Sequence, residues 1–424
     1  MPSTGGASEG TPIVPIERSQ LEAPLLGQPR HPVHLGDSVE QGRDGRPVLL
    51  PVEDVVGSFA MFDAVRFKSF KCLADVTIEL GRMTLLVGAN ASGKSSVLDG
   101  LHLLCQLGAP RAYKPDPLTN RAGIVFSRAS SPARLRTWGQ EGSVRIEGSA
   151  GGVTALAVDA EPGSDDVKDG FIVEFHAGDR TERITLPEDH ESADAFFRQL
   201  DRRGFGHVVR LRLDASKVAG FAKDAARPRV EHDGGGTAAV LAWLAEQRSP
   251  SLDAIEADLR QVVPRARRFH PSRAEQDENL GRLFALEMDS GARIAADLLS
   301  EGTLLTIGLL TVLHQPPVPR LVLLDDFDRA LHPTAQKQLV LCVKSMLDRH
   351  PDLQFVCTTH SPYVLDLFDA SDVRVLRTDE RGFTQARKLA DHPEWAEWKG
   401  TLKAGEFWSY VGEDWFDAPA HAAA

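Results

Sequence analysis

The sequence predicts an α/β fold: a core sheet of parallel strands carrying a phosphate-binding loop, joined to an antiparallel β lobe. Three observations predict it. Gly88-Ala89-Asn90-Ala91-Ser92-Gly93-Lys94-Ser95-Ser96 fits the pattern G-x-x-x-x-G-K-[ST], between an apolar run (Met83–Val87) and helical spacing from Ser95 to Leu107. Leu321-Val322-Leu323-Leu324 is apolar without alternation and ends in Asp325-Asp326, as a central parallel strand buried on both faces would. Segments such as Ser143–Glu147 and Gly170–Phe175 alternate instead, as antiparallel strands with one wet face do.

Residues 1–60 are rich in Pro, Gly, Ser and charge without sustained periodicity, and a disordered extension is expected there. Met61 opens a regular pattern at once, so translation starting at Met61 is the alternative. Residues 61–110 read as a first lobe. Phe62–Phe67 alternates, Lys68–Lys71 turns the chain, Val76–Leu80 alternates again, and Gly81-Arg82 turns into the strand before the loop. A plain Rossmann unit does not begin with three strands. Residues 111–280 are expected to form a compact α+β lid. Its strands are read at 143–147, 153–158, 170–175 and 207–213, with a turn at 162–166, and its helices at 192–202, 238–247 and 252–263. Residues 281–390 read as a second lobe: a hairpin at 283–294, an apolar helix capped by Ser300, the strand ending in Asp325, and a helix from Pro333 to Leu347. The strand Leu353–Cys357 and a short hairpin at 373–384 complete it. The tail, 391–424, carries four of the six tryptophans. Exposed, they would dock on a partner; otherwise they pack on the protein's own body.

The chemistry follows from the loop. Gly88 and Gly93 let successive backbone N–H groups turn inward on an anion, and the helix N-terminus adds partial positive charge. Lys94 is suited to the β- and γ-phosphates of a nucleoside triphosphate, and the Ser95 hydroxyl to Mg2+. In open α/β sheets ligands sit at the carboxyl ends of strands, which sets Asp325 beside Ser95 as a second Mg2+ group, directly or through water. His360 ends the next strand, in reach of a γ-phosphate, although a lone histidine is more often structural. Ser300, taken alone, is the cap of a core helix.

Composition bounds the partners. The 424 residues carry a formal net charge of −12, which argues against electrostatic coating of nucleic acid but leaves room for a local basic groove. Pro264-Arg265-Ala266-Arg267-Arg268 is the candidate, with a solvated charged face as the simpler reading. The four cysteines form no C-x-x-C pair, so neither a zinc site nor a disulfide framework is expected. The longest apolar run, Leu304–Leu313, is too short to span a bilayer, and the N-terminus lacks the pattern of a secretory signal.

Together these residues resemble the ABC-type ATPases of the SMC/RecF/OLD group, over about Met61 to Phe416. Gly88–Ser95 matches Walker A, Leu299-Ser300-Glu301-Gly302-Thr303 resembles the ABC signature, and Leu321–Asp325 matches Walker B. Leu331-His332-Pro333 resembles the D-loop, and Thr359-His360-Ser361-Pro362 the switch histidine. The closest likeness is to stand-alone bacterial members, many of them encoded beside an effector in anti-phage systems. The resemblance implies an ABC-type ATPase head that binds ATP and Mg2+; the scattered cysteines, read as reduced thiols, and the lack of a spanning run give a cytoplasmic protein without membrane association as the expectation. The resemblance also implies a composite site: Lys94, Ser95, Asp325, Asp326 and His360 from one subunit, and Ser300, Glu301 and Gly302 from the other. ATP then holds a homodimer, or a higher oligomer of dimers, that regulates a separate effector protein, with DNA or RNA as a further partner.

Three departures qualify the resemblance. The family usually has Glu after the Walker B Asp, and this chain has Asp326. One methylene less draws the carboxylate back by roughly an ångström, a displacement that can cost about a hundredfold in rate. Slow hydrolysis is therefore expected, and an ATP-locked scaffold is the alternative. No heptad run separates Walker A from the signature, so no coiled-coil arm is expected. Too few residues follow His360 for the nuclease domain that OLD proteins carry. Gln106 and Gln140 are the candidates for a Gln-loop residue. A transporter subunit is disfavoured by the long interval between Lys94 and Ser300.

Overall fold

The computed structural model describes residues 61–107, 137, 143–150, 153–159, 171–177, 180–186, 208–276 and 278–417, with backbone alone for 153–186. The extension expected at 1–60, the turn at 162–166 and the helix at 192–202 lie outside the described residues.

The chain enters through β1 (Phe62–Phe70) and β2 (Leu73–Glu79), paired antiparallel. The reversal comes later than the sequence suggests, at Lys71, which has φ 53°. The reason is Phe70: it is buried and stacks on Phe67 with ring centroids 5.8 Å apart, which keeps Lys68 and Ser69 in the strand. β3 (Met83–Val87) and α1 (Lys94–Leu107) follow. β4 (Arg145–Ala150) returns to β1, and β5 (Val153–Asp159), β6 (Phe171–Ala177) and β7 (Arg180–Leu186) extend this sheet. Its order is β2-β1-β4-β5-β6-β7. β7 is not foreseen by the sequence reading, because Arg180-Thr181-Glu182-Arg183 is polar at every position.

β8 (Val208–Leu211), α2 (Ala215–Ala219), β9 (Ala222–Lys223), α3 (Thr237–Glu246) and α4 (Pro250–Val262) come next. β10 (Ala266–Gln276) and β11 (Asn279–Met288) form a long hairpin that β12 (Arg293–Ala295) and β9 widen to four strands. The charge and Pro271 of β10 hide it from a strand reading. The basic cluster 264–268 thus lies at the start of a strand.

The remaining elements are α5 (Glu301–His314), β13 (Leu321–Leu324), α6 (Pro333–Arg349), β14 (Gln354–Thr358) and α7 (Pro362–Leu365). After them come β15 (Val373–Thr378), β16 (Thr384–Lys388), α8 (Trp395–Trp398) and α9 (Ala404–Val411). The core sheet runs β16-β15-β3-β14-β13-β8, parallel except for its edge strand β16.

Both faces of that sheet are covered, which is why its strands read as unbroken apolar runs. Leu85, Val87, Val322, Leu324 and Phe355 share a core with α4, α5 and α6. Leu86, Leu321, Leu323 and Val356 face the other way, onto α1 and the antiparallel sheet. The longest helix among the described residues is α6, with 17 residues, and none is long and apolar enough to cross a membrane. The tail folds back on the first of these cores. Phe407 and Trp415 are buried, Trp395, Trp398 and Trp408 pack against the same cluster, and Arg387 lies over the rings of Trp415 and Phe416. For these tryptophans the own-body alternative holds.

Candidate functional site

The loop between β3 and α1 is closely backed at both of its glycines. Gly88 and Gly93 have φ of +143° and +100°, and a Cβ at either would lie 2.0 Å from Leu376 O or 2.3 Å from Thr384 Oγ1. Leu376 and Thr384 belong to the β15–β16 hairpin, which forms the floor of the loop. Thr384 Oγ1 also donates to Ser92 O at 3.0 Å. Lys94 is buried and donates to Gly88 O and Ala89 O, both at 2.8 Å. Burial lowers its pKa, while Asp325, Asp326 and Glu413 act in the opposite direction. Ser92 Oγ is buried with no hydrogen-bond partner among the described residues. Ala89, Asn90 and Ala91 are exposed at the tip, and Ser95 and Ser96 begin α1 half-buried. An ammonium tied only to carbonyls, an orphaned hydroxyl and the bare first turn of a helix are a fit for phosphate oxygens.

Asp325 follows β13 and stands across from the loop. Its Oδ1 accepts from Ser95 Oγ at 3.2 Å and from Thr358 Oγ1 at 2.9 Å. Its Oδ2 lies 3.5 Å from Arg210 Nη2. A hydroxyl and a carboxylate this close are hard oxygen donors of the kind Mg2+ takes. Asp326 comes next in the left-handed region, φ 56°, with its N–H donating to Thr358 Oγ1 at 2.8 Å. Partial burial, and then Asp325 beside it, push its carboxyl above the ordinary aspartate range, while His360 pulls the other way. His360 is exposed, and its backbone N–H donates to Asp328 Oδ1 at 3.3 Å. Gln336 on α6 closes the bracket: it donates to Asp328 O and Leu331 O at 3.2 and 3.0 Å and accepts from Ser361 Oγ at 2.6 Å.

The signature segment is built locally. Ser300 caps α5: its Oγ accepts from Thr303 N at 3.3 Å and lies 2.8 Å from Thr303 Oγ1. Glu301 pairs with Arg329 at 3.0 Å, both half exposed. A Cβ on Gly302 would meet Ala330 O at 2.5 Å, so the helix start sits hard against the segment after β13. Among the described residues no hydrogen bond or ion pair links Ser300, Glu301 or Gly302 to Gly88–Ser96.

The fold thus gathers Lys94, Ser95, Asp325, Asp326 and His360 at the carboxyl edge of one sheet and leaves the signature residues outside their hydrogen-bond network. Sequence reasoning missed Thr358, Arg210, Gln336 and Asp328 as members of that network. Thr358 was findable, since it directly follows the run 353–357 foreseen as a buried strand and is the last residue of β14. Gln140 and the side chain of Gln106 lie outside the described residues.

The parallel sheet and its glycine loop are those of a P-loop ATPase. The model of the family described as "AAA domain, putative AbiEii toxin, Type IV TA system" matches residues 83–366, two thirds of the chain, and the chain belongs to that family. Among solved structures it is similar to an Smc head bound to the C-winged helix domain of ScpA, at 16% identity and a TM-score of 0.47, covering 77% of this chain and 96% of that one. It is similar to the SMC head domain from Thermotoga maritima, at 12% identity and a TM-score of 0.38, covering 77% and 98%. A third likeness is to an Smc head domain with an extended coiled coil, bound to the C-terminal domain of ScpA, derived from Pyrococcus furiosus. There the identity is 12%, the TM-score 0.46, and the coverage 79% and 98%. Those TM-scores are low, and it is the strand order that defines the fold.

Proposed function

We propose that this chain is a Mg2+-dependent, slowly hydrolysing ATP switch that dimerises through composite ATP sites and controls a separate effector. The observation that carries the reading is the 3.2 Å pair of Ser95 Oγ and Asp325 Oδ1, beside a buried Lys94. Backbone N–H groups of Gly88–Ser95 and the Lys94 ammonium would hold the triphosphate. Ser95 and Asp325 would hold Mg2+, whose contribution is to neutralise charge on the phosphate oxygens. Asp326 would orient the attacking water, and His360 would sense the γ-phosphate.

The isolated signature segment supports a second copy as its user: Ser300, Glu301 and Gly302 of one protomer would close the site of its partner. ATP would then act as the contact that joins two heads, and hydrolysis would release them. The toxin and toxin–antitoxin system named in the family's description support a partner on a separate chain. Phage defence or nucleic-acid surveillance in the cytoplasm is the setting proposed for that partnership. A second reading, an ATP-locked scaffold, is favoured by the short side chain of Asp326.

ATP turnover and mass measured together, on the wild type and Lys94→Ala, with and without DNA, test the proposal. Lys94-dependent hydrolysis with an ATP-induced dimer is expected. Stable ATP-bound oligomers without turnover would favour the scaffold, and absence of nucleotide binding would overturn both.

A further inference from the structure

Behind Asp325 lies a run of alternating charges: buried Arg210 and Asp99, then half-buried Lys71 in the turn between β1 and β2. Arg210, on β8, is 8% exposed. Its Nη2 lies 2.7 Å from Asp99 Oδ1, on α1, and 3.5 Å from Asp325 Oδ2. Asp99 Oδ2 in turn pairs with Lys71 Nζ at 2.5 Å. The Arg210 Nη1 is buried and has no hydrogen-bond partner among the described residues. A buried guanidinium with an unused donor is a poor stabilising device, because its desolvation is incompletely offset. Next to a carboxylate suited to a divalent cation it has an electrostatic consequence. A positive charge at that distance opposes the entry of another, and a negative charge on its far side relieves the opposition.

We propose that Arg210 is a positioning residue that sets the divalent-cation affinity of Asp325, with Asp99 as the counter-charge that keeps Arg210 from holding Asp325 outright. The inference rests on the nucleotide-site reading above. The unequal distances carry it: Arg210 sits nearer Asp99 than Asp325, so Asp325 stays available while its orientation is fixed by Arg210, Ser95 and Thr358 together. Loss of the Asp99 charge would leave Arg210 with one carboxylate among the described residues, Asp325, and it would compete with the cation for it. Loss of the Arg210 charge would have the reverse sign. A network that merely held the fold together would not give opposite signs to its two halves.

The test is a titration with Mn2+ as the probe, read by electron paramagnetic resonance of the free ion, in the presence of a non-hydrolysable ATP analogue. It compares the wild type with Asp99→Asn, Arg210→Gln, the double variant, and Asp325→Asn as the site control. Asp99→Asn is expected to weaken Mn2+ binding by at least about tenfold, and Arg210→Gln to tighten it. The double variant should return toward the wild type, because neither charge remains. Thermal melting of each variant, run alongside, reports any purely structural loss. Asp99→Asn and Arg210→Gln both binding Mn2+ like the wild type would overturn the inference and leave the nucleotide-site reading standing. Both changes weakening binding in the same direction would also overturn it. A wild type with no Mn2+ binding that Asp325→Asn removes would instead overturn the nucleotide-site reading itself.

Discussion

The phosphate-loop end of the site and the signature end are held by different means. At the first, groups from α1, β14 and β8 converge on Asp325, and Asp328 and Gln336 bind the segment after β13 to the one after β14. At the second, the Ser300 side chain bonds to a residue three positions on, and Glu301 meets an arginine at the surface. Preorganised dipoles and charges are worth most where charge must be stabilised without rearrangement. The difference teaches that the phosphate-loop end is tied together by groups from several elements of one chain, while the signature end, among the described residues, bonds only within its own neighbourhood, which is what the proposed composite site requires.

The harshest way to break this contrast is Lys94→Ala. It should lower turnover by about 10²–10³-fold and abolish nucleotide-dependent assembly, read by phosphate release and by mass. Next is Asp326→Glu, which should raise turnover by about 10–10²-fold if a retracted carboxylate is what limits it. A null result there would mean that Asp326 already reaches the water. Ser300→Ala should cost about tenfold in hydrolysis while leaving nucleotide binding by the monomer intact. Mixing it with Lys94→Ala should restore part of the activity, since one sound composite site can form. If Ser300→Ala removes nucleotide binding as well, the two ends are not separable and the contrast fails.

A finer test uses pH. In the proposed role Asp326 is ionised when it orients water, and burial and the neighbouring Asp325 push its carboxyl above the ordinary aspartate range. The acid limb of the rate should therefore fall off at a higher pH than that of an unperturbed aspartate, and Asp326→Asn should remove the limb. The smallest effect is expected from Gln336→Ala, at about 1–3 kcal/mol of stability from the polar groups left unpaired, measured by denaturant unfolding. Nucleotide affinity should be little changed.

The parts of the site that were legible in the sequence are those written in short, contiguous signals. The glycine loop, the apolar strand with its terminal acids and the capped apolar helix each fall within a few residues. Arg210 was not legible because Val-Val-Arg-Leu-Arg-Leu reads as a strand with a wet face, and nothing local says that this arginine is turned inward onto acids from distant elements. Gln336 was hidden for a related reason: on an amphipathic helix a glutamine is expected to face water. The long β10 was missed because its outer face is charged and interrupted by proline, so the hairpin declares itself only through pairing with β11.

The floor under the phosphate loop has a consequence for synthesis. Ser92 O accepts from a threonine 292 residues further on, and Gly88 is backed by the same hairpin. At translation rates of about 5–20 residues per second, the loop leaves the ribosome roughly 15–60 s before its floor exists. Through that interval the nascent chain has the motif without the geometry. On the proposed reading, nucleotide capture is thereby postponed until Thr384 has been made, and products that stop before it lack the floor of the loop.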